Sequence, residues 1–220
     1  MALSLLLDNA DPSIWAKWLK LGVFNGITTN PSLLKEASQP CTLLNLKKLA
    51  QKAKSIECKE LHIQAWGSSA KDIENFAMGI AELSTPEMQI HVKIPTNKEG
   101  SEVAKKLIAK DISITFTACH EIKQILIASA MRATYIAPYL GRINDQGKNG
   151  LEELVSMQKI IEKTNSSCKL LVASIRNISD IIHLASNGID TFTINNEIAE
   201  EIYNCEATIR ALEQFEKDAK

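Results

Sequence analysis

Short apolar runs alternate with longer amphipathic stretches along the whole chain. Eight of the runs have the length and apolar or β-branched content of strands: residues 3–8, 26–30, 61–64, 89–94, 112–117, 134–139, 169–174 and 190–195. Between them, apolar positions recur at helical spacing over 42–56, 69–83, 100–109, 119–130, 150–163 and 177–186. An earlier helix opens on Asp11 and Pro12, a capping residue followed by a first-turn proline, and stops at Gly22. Strands that alternate with helices predict parallel βα units, and eight units predict a closed (β/α)8 TIM barrel. At 220 residues the chain is a little short for that fold, which runs to about 250. Short loops follow, with a single barrel domain over 1–220 and no room for a second.

The tail carries two further helical patterns, and the second, over 206–220, is surplus to the barrel. Its Ile209, Leu212 and Phe215 fall on one side at helical spacing. Such a face needs a surface to cover it, either the chain's own barrel or a neighbouring subunit. The pattern alone leaves both open.

Parity along each strand predicts which side chains enter the lumen, because successive residues point to opposite faces. Over 89–94, Ile90, Val92 and Ile94 suit the helix layer, leaving Gln89, His91 and Lys93 inward. A lysine is a poor strand former and costly to bury, so its presence there calls for a reason. The same division turns inward Ser4 and Asp8, Thr28 and Asn30, His62 and Gln64, then Ser113, Thr115 and Thr117. Tyr135 and Tyr139, Ser174, and Thr191, Thr193 and Asn195 follow on the last three strands. Each strand thus ends inward on a polar group, at the end of the barrel where active sites lie. Lys93 among Asp8, Thr28, Asn30, Gln64, Thr117, Tyr139 and Ser174 predicts a catalytic pocket. The alternative, a Lys93–Asp8 ion pair that merely fills the barrel, repays its desolvation poorly. His62 and His91, below the site, read as hydrogen-bonded filling.

A partly dried amine suits one chemistry. Burial disfavours the ammonium form, and the neutral amine attacks a ketone to give a Schiff base, an electron sink for breaking the adjacent carbon–carbon bond. Asp8 is placed to move protons, and Thr28 and Asn30 to bind substrate hydroxyls. The usual phosphate site of such barrels lies after strands seven and eight. There "VASIRN" supplies Ser174 and Arg176, with Asn177 opening the next helix, and "APYLGRINDQG" brings Arg142 to the same rim. Two arginines and a hydroxyl can clamp a phosphate; the competing reading makes both arginines solvated loop residues.

Composition narrows the partners. With 25 basic and 26 acidic residues, the chain lacks the electrostatic footprint of nonspecific nucleic-acid or acidic-membrane binding. Cysteines at 41, 58, 119, 168 and 205 are widely spaced and form no metal or disulfide pattern, so all five are expected free. The start "MALSLLL" lacks the basic region of a signal peptide, and no apolar run nears the ~20 residues of a membrane span. A cytoplasmic protein acting on small molecules is expected.

Together the motifs "LLLD", "GITTNPSLL", "IHVKIPTNKEG", "IAPYLGRINDQG" and "VASIRN" resemble the transaldolase family, in particular its small single-barrel branch, which includes fructose-6-phosphate aldolase. The resemblance runs from Asp8 into the last helix. It implies that Lys93 is the Schiff-base lysine, Asp8 the acid/base, and Thr28 and Asn30 substrate-binding residues. Arg142, Ser174 and Arg176 match the phosphate-binding positions, and Thr117 the threonine that helps hold the catalytic water. It implies no metal and no organic cofactor. It also implies a homo-oligomeric ring, commonly a decamer of two pentamers, in which the terminal helix packs on a neighbour. Gln64 and Tyr139 stand where transaldolases proper carry glutamate and phenylalanine, and look like the aldolase pair. The expected reaction is therefore cleavage of fructose 6-phosphate to dihydroxyacetone and glyceraldehyde 3-phosphate. The alternatives are transaldolase proper, which converts sedoheptulose 7-phosphate and glyceraldehyde 3-phosphate to erythrose 4-phosphate and fructose 6-phosphate, and a catalytically weak sugar-phosphate-binding barrel. Asn9, Ile175, Trp66 and the stretch "TFTACHE" depart from the family pattern. Trp66 reads as helix-layer packing and Cys119 as an unreactive thiol.

Overall fold

Eight parallel strands pair in chain order and close on themselves, β1 with β8. The structure, a computed structural model, describes residues 3–220. The strands are β1 (Ser4–Asp8), β2 (Phe24–Thr28), β3 (Glu60–Gln64), β4 (Gln89–Pro95), β5 (Ile114–Cys119), β6 (Tyr135–Pro138), β7 (Lys169–Val172) and β8 (Thr191–Ile194). The helices are α1 (Pro12–Leu19), α2 (Pro31–Glu36), α3 (Leu43–Ser55), α4 (Ala70–Ala81), α5 (Lys98–Ile108), α6 (Ile125–Ala130), α7 (Leu140–Asp145), α8 (Gly150–Lys163), α9 (Ile178–Ser186), α10 (Asn196–Tyr203) and α11 (Glu206–Asp218). This is the (β/α)8 barrel that the alternating pattern predicts. Among the described residues, no helix is long and apolar enough to cross a membrane.

Parity decides the packing. Ile90, Val92 and Ile94 are buried in the layer between barrel and helices, where Trp15, Phe116 and Phe192 are the bulkiest fully covered side chains. Covering each such side chain contributes about 1.5–3 kcal/mol. The lumen has two parts. Leu6, Ala137 and Leu171 form an apolar patch on β1, β6 and β7 with Tyr135 and Tyr139 against it. β2 to β5 hold the buried polar groups Thr28, His62, His91, Lys93 and Thr115, and Thr193 of β8 joins them through its contact with Thr28.

Several ends differ from the expected ones, each for a local reason. β2 stops at Thr28 because Asn30, extended and followed by Pro31, caps α2, its side chain accepting from Ser32 N and Leu33 N. β8 stops at Ile194 because Asn195 caps α10, accepting from Ile198 N at 3.0 Å. Asn195 is exposed on that cap, which corrects its placement in the lumen. β5 runs on to Cys119 where a helix is expected from 119. Its register with β6 shifts between Phe116 and Cys119, with Ala118 in the left-handed region at φ 56°. The Gln124 side chain then accepts from His120 N at 2.8 Å and Glu121 N at 2.9 Å, so α6 starts only after a 3₁₀ turn over Ile122–Gln124. α2 and α7, both at the C-terminal end of the barrel, are absent from the sequence pattern.

α10 is anchored: Ile198 and Ala199 are buried, Trp18 Nε1 donates to Asn196 Oδ1 at 2.9 Å, and Lys17 pairs with Glu200. α11 is not, having no buried residue, and Ile209, Leu212 and Phe215 are all more than half exposed.

Candidate active site

At the C-terminal end of the barrel the strand ends enclose a cavity of about 500 Å³, within the range of small-molecule sites. Asp8, Gln64, Lys93, Tyr139 and Ser174 face it from the strands and their ends, and Asn30, Ser32, Leu33, Glu36 and Arg142 from the two short helices and their caps.

Lys93 stands in the middle strand of a register that sets Gln64 on one side and Thr115 on the other. It is 4% exposed, and its Nζ donates to the backbone carbonyl of Thr29 at 2.9 Å. Among the described residues no carboxylate lies within 4.0 Å of that nitrogen, so the lysine is not one half of an ion pair with Asp8.

Asp8, paired with Thr28 in the strand register, is held from below. Thr28 Oγ1 donates to Asp8 Oδ1 at 2.6 Å, and its remaining contact, to Thr193 Oγ1 at 2.7 Å, must be accepted from the Thr193 hydroxyl. Thr28 is fully buried and does not face the cavity. It orients the carboxylate and is not placed to touch a substrate hydroxyl. Asn30 does face the cavity, and with its Oδ1 committed to the α2 cap, its NH₂ is the group left for a ligand.

Thr117 is fully buried, and its hydroxyl shares a 2.8 Å hydrogen bond with Tyr139 Oη. The His120 ring meets the Tyr139 ring edge-on, with centroids 5.3 Å apart, so the phenol is fixed from two sides. Sequence reasoning missed His120; the signal would have been the bulge that carries β5 past Thr117.

At the rim, Ser174 takes φ 57°, and its carbonyl accepts from Gly141 N at 2.9 Å, clamping the ends of β6 and β7 together. Gly141 is required by close approach: a Cβ there would stand 2.7 Å from both Ser174 O and Arg176 Nε. Arg142 and Ser174 face the cavity and Arg176 does not; its guanidinium pairs with Asp145. Asn177 opens α9 without a side-chain capping bond. Glu36 and Asp145 were also missed, because each sits on a short helix the periodicity does not reveal.

Directly below Lys93, Glu60, His62 and His91 converge with donor atoms within 4.8 Å of one another, which invites a metal reading. The geometry is otherwise explained. The Glu60 Oε2 atom lies 3.3 Å from His62 Nε2, from His91 Nε2 and from Tyr135 Oη, three donors around one carboxylate oxygen. The imidazoles stack at 4.4 Å and 18°, and both turn Nε2 towards Glu60 Oε2, so these two nitrogens are already engaged as donors to the carboxylate. Burial, then the neighbouring His91, hold His62 down at about 3, so it stays neutral. Burial alone would raise Glu60, but the hydrogen bonds from His62 and His91 outweigh it and keep the carboxylate charged. His62 Nδ1 shares a 2.9 Å hydrogen bond with Thr115 Oγ1, whereas His91 Nδ1 has no partner. Hydrogen-bonded filling of the barrel, as the sequence suggests, accounts for both histidines except that one nitrogen.

Trp66 packs against Phe76 of α4 at 4.0 Å between centroids, in the helix layer. Cys119 is buried, which pushes its thiol up to about 12 and keeps it unreactive. All five cysteines are free.

The sequence profile of the family described as transaldolase/fructose-6-phosphate aldolase matches residues 5–220. A protein of Dictyoglomus turgidum named "Probable transaldolase" is 30% identical over 216 residues, covering 98% of this chain and 97% of the relative. One of Thermodesulfovibrio yellowstonii with the same name is 32% identical over 213 residues, covering 96% and 95%. Among solved structures, the thiamine phosphate pyrophosphorylase of Pyrococcus furiosus superposes with a TM-score of 0.61 at 14% identity over 88% of this chain and 85% of its own, a likeness of fold alone.

Proposed function

The chain belongs to the transaldolase/fructose-6-phosphate aldolase family, and from that premise we propose that it is a Schiff-base enzyme that cleaves fructose 6-phosphate and frees dihydroxyacetone. The observation that carries the reading is the Lys93 amine: buried at the active end of the lumen, held by a carbonyl and not by a carboxylate, and facing the same cavity as Asp8.

The chemistry follows from that placement. Lys93 Nζ adds to the C2 ketone, water leaves, and an iminium forms. Asp8, oriented by Thr28, takes the proton of the C4 hydroxyl as the C3–C4 bond breaks, and the electron pair moves into the iminium to give an enamine. Glyceraldehyde 3-phosphate departs. Protonation of the enamine carbon and hydrolysis then release dihydroxyacetone and restore the amine. Tyr139 is the proton donor in this reading, and its bond to Thr117 sets the direction of its hydroxyl. Gln64, neutral, positions water without acting as a base. Asn30 contacts substrate hydroxyls, and Arg142, Ser174 and Arg176 form the phosphate end.

A second reading is favoured by the relatives, which are named for transaldolase: the enamine is held unprotonated and attacks an acceptor aldehyde. Incubation with fructose 6-phosphate alone separates the two. Free dihydroxyacetone accumulating at a rate comparable with turnover supports the aldolase; none without erythrose 4-phosphate, and rapid transfer with it, supports the transaldolase.

A further inference from the structure

The two rim arginines already hold an anion. Arg176 Nη1 and Nη2 donate to Asp145 Oδ1 and Oδ2, each at 2.7 Å, and Arg142 Nη1 lies 3.5 Å from Oδ2 of the same residue. A parallel pair of N–H···O bonds is also how a guanidinium grips phosphate. Arg176 Nε lies close beside Gly141, 2.7 Å from where a Cβ would stand there, while Arg142 and Ser174 face the cavity. The hydrogen bond from Arg176 holds the Asp145 carboxyl below its ordinary range, so the bound group is an anion at neutral pH.

We propose that Asp145 is a specificity-determining residue, an internal anion that occupies the fork of Arg176 until a substrate phosphate displaces it. The inference rests on the reading of this rim as the phosphate end of a sugar-phosphate site. A carboxylate offers one charge and two oxygens, whereas a phosphate near neutral pH offers between one and two charges and three oxygens. The exchange therefore favours a phosphorylated sugar over a neutral sugar, which cannot displace Asp145, and over a sugar acid, which only equals it. Phosphate pays the displacement as a modest loss of affinity. The pair is exposed, and exposed pairs are weak, so the loss is about two- to fivefold.

Inorganic phosphate is the probe, measured as a competitive inhibitor against fructose 6-phosphate in wild type, Asp145→Asn, Asp145→Glu and Arg176→Ala. Asn keeps the shape and removes the charge. The expected result is an inhibition constant for phosphate, and a KM for fructose 6-phosphate relative to unphosphorylated fructose, both two- to fivefold lower in Asp145→Asn, with Asp145→Glu near wild type. Unchanged or raised constants in Asp145→Asn overturn the inference and make Asp145 a support for Arg176. If Arg176→Ala is still inhibited as well as wild type, the phosphate reading falls and the inference with it. If Arg176→Ala loses inhibition and Asp145→Asn gains none, the phosphate reading stands and only the inference fails.

Discussion

In the proposed mechanism, Tyr139 is the side chain on which the fate of the three-carbon fragment turns. Its hydroxyl, tied to Thr117 and flanked by His120, is a proton donor at the cavity that a phenylalanine would lack. One acid/base group contributes at least about a hundredfold at full effect. Tyr139→Phe is therefore expected to slow dihydroxyacetone release from fructose 6-phosphate by at least about tenfold while sparing transfer to erythrose 4-phosphate; equal loss of both in a paired assay would show a structural role. The placement of Lys93 and Asp8 at one cavity was legible in the sequence, because parity turns both charges inward near strand ends. The depth of Thr28 was not legible. Parity says that a hydroxyl points inward and cannot say whether it reaches the cavity or stops at the carboxylate above it. The state of Arg176 was hidden too, since its partner Asp145 lies 31 positions away in the chain.

Strands β3 and β4 carry a pH dependence of their own. His62 is held at about 3, far below the usual histidine value of 6.5, and Glu60 is held below the usual carboxylate range. Both groups take up protons more readily in the unfolded chain than in the fold. Their stabilising contribution is complete above about pH 6.5 and is lost as pH falls towards 3, at about 1.4 kcal/mol per pH unit for each proton. Urea denaturation between pH 7 and 4 is expected to show stability falling towards acid, with a shallower fall from pH 6.5 to 4.5 in His62→Gln. A stability that is flat or rises towards acid contradicts the buried network. The existence of the strands was legible from period and parity; their ends were set by particular residues. Asn30 and Asn195 turned from strand into cap, and the left-handed Ala118 lengthened β5 by a bulge. α2 and α7, at six residues each, are too short for periodicity to reveal.

For the whole molecule, the barrel closes without α11, whose Ile209, Leu212 and Phe215 lie open to solvent. The pattern left two ways to cover this face, and the fold does not use the first. Association with another copy, as the family likeness implies, is the expected cover. Sedimentation is expected to find an oligomer in the wild type and a smaller species in Phe215→Asp; a monomeric wild type removes that role. Polar groups from β1, β3 and the ends of β6 and β7 share a cavity with the Lys93 amine, and the account stands or falls with it. Borohydride reduction in the presence of fructose 6-phosphate, followed by peptide mapping, tests it most directly. The expected result is a three- or six-carbon adduct on Lys93 within residues 88–97, and loss of both adduct and activity in Lys93→Ala. An adduct on a different lysine, or an active Lys93→Ala enzyme, would contradict the Schiff-base mechanism.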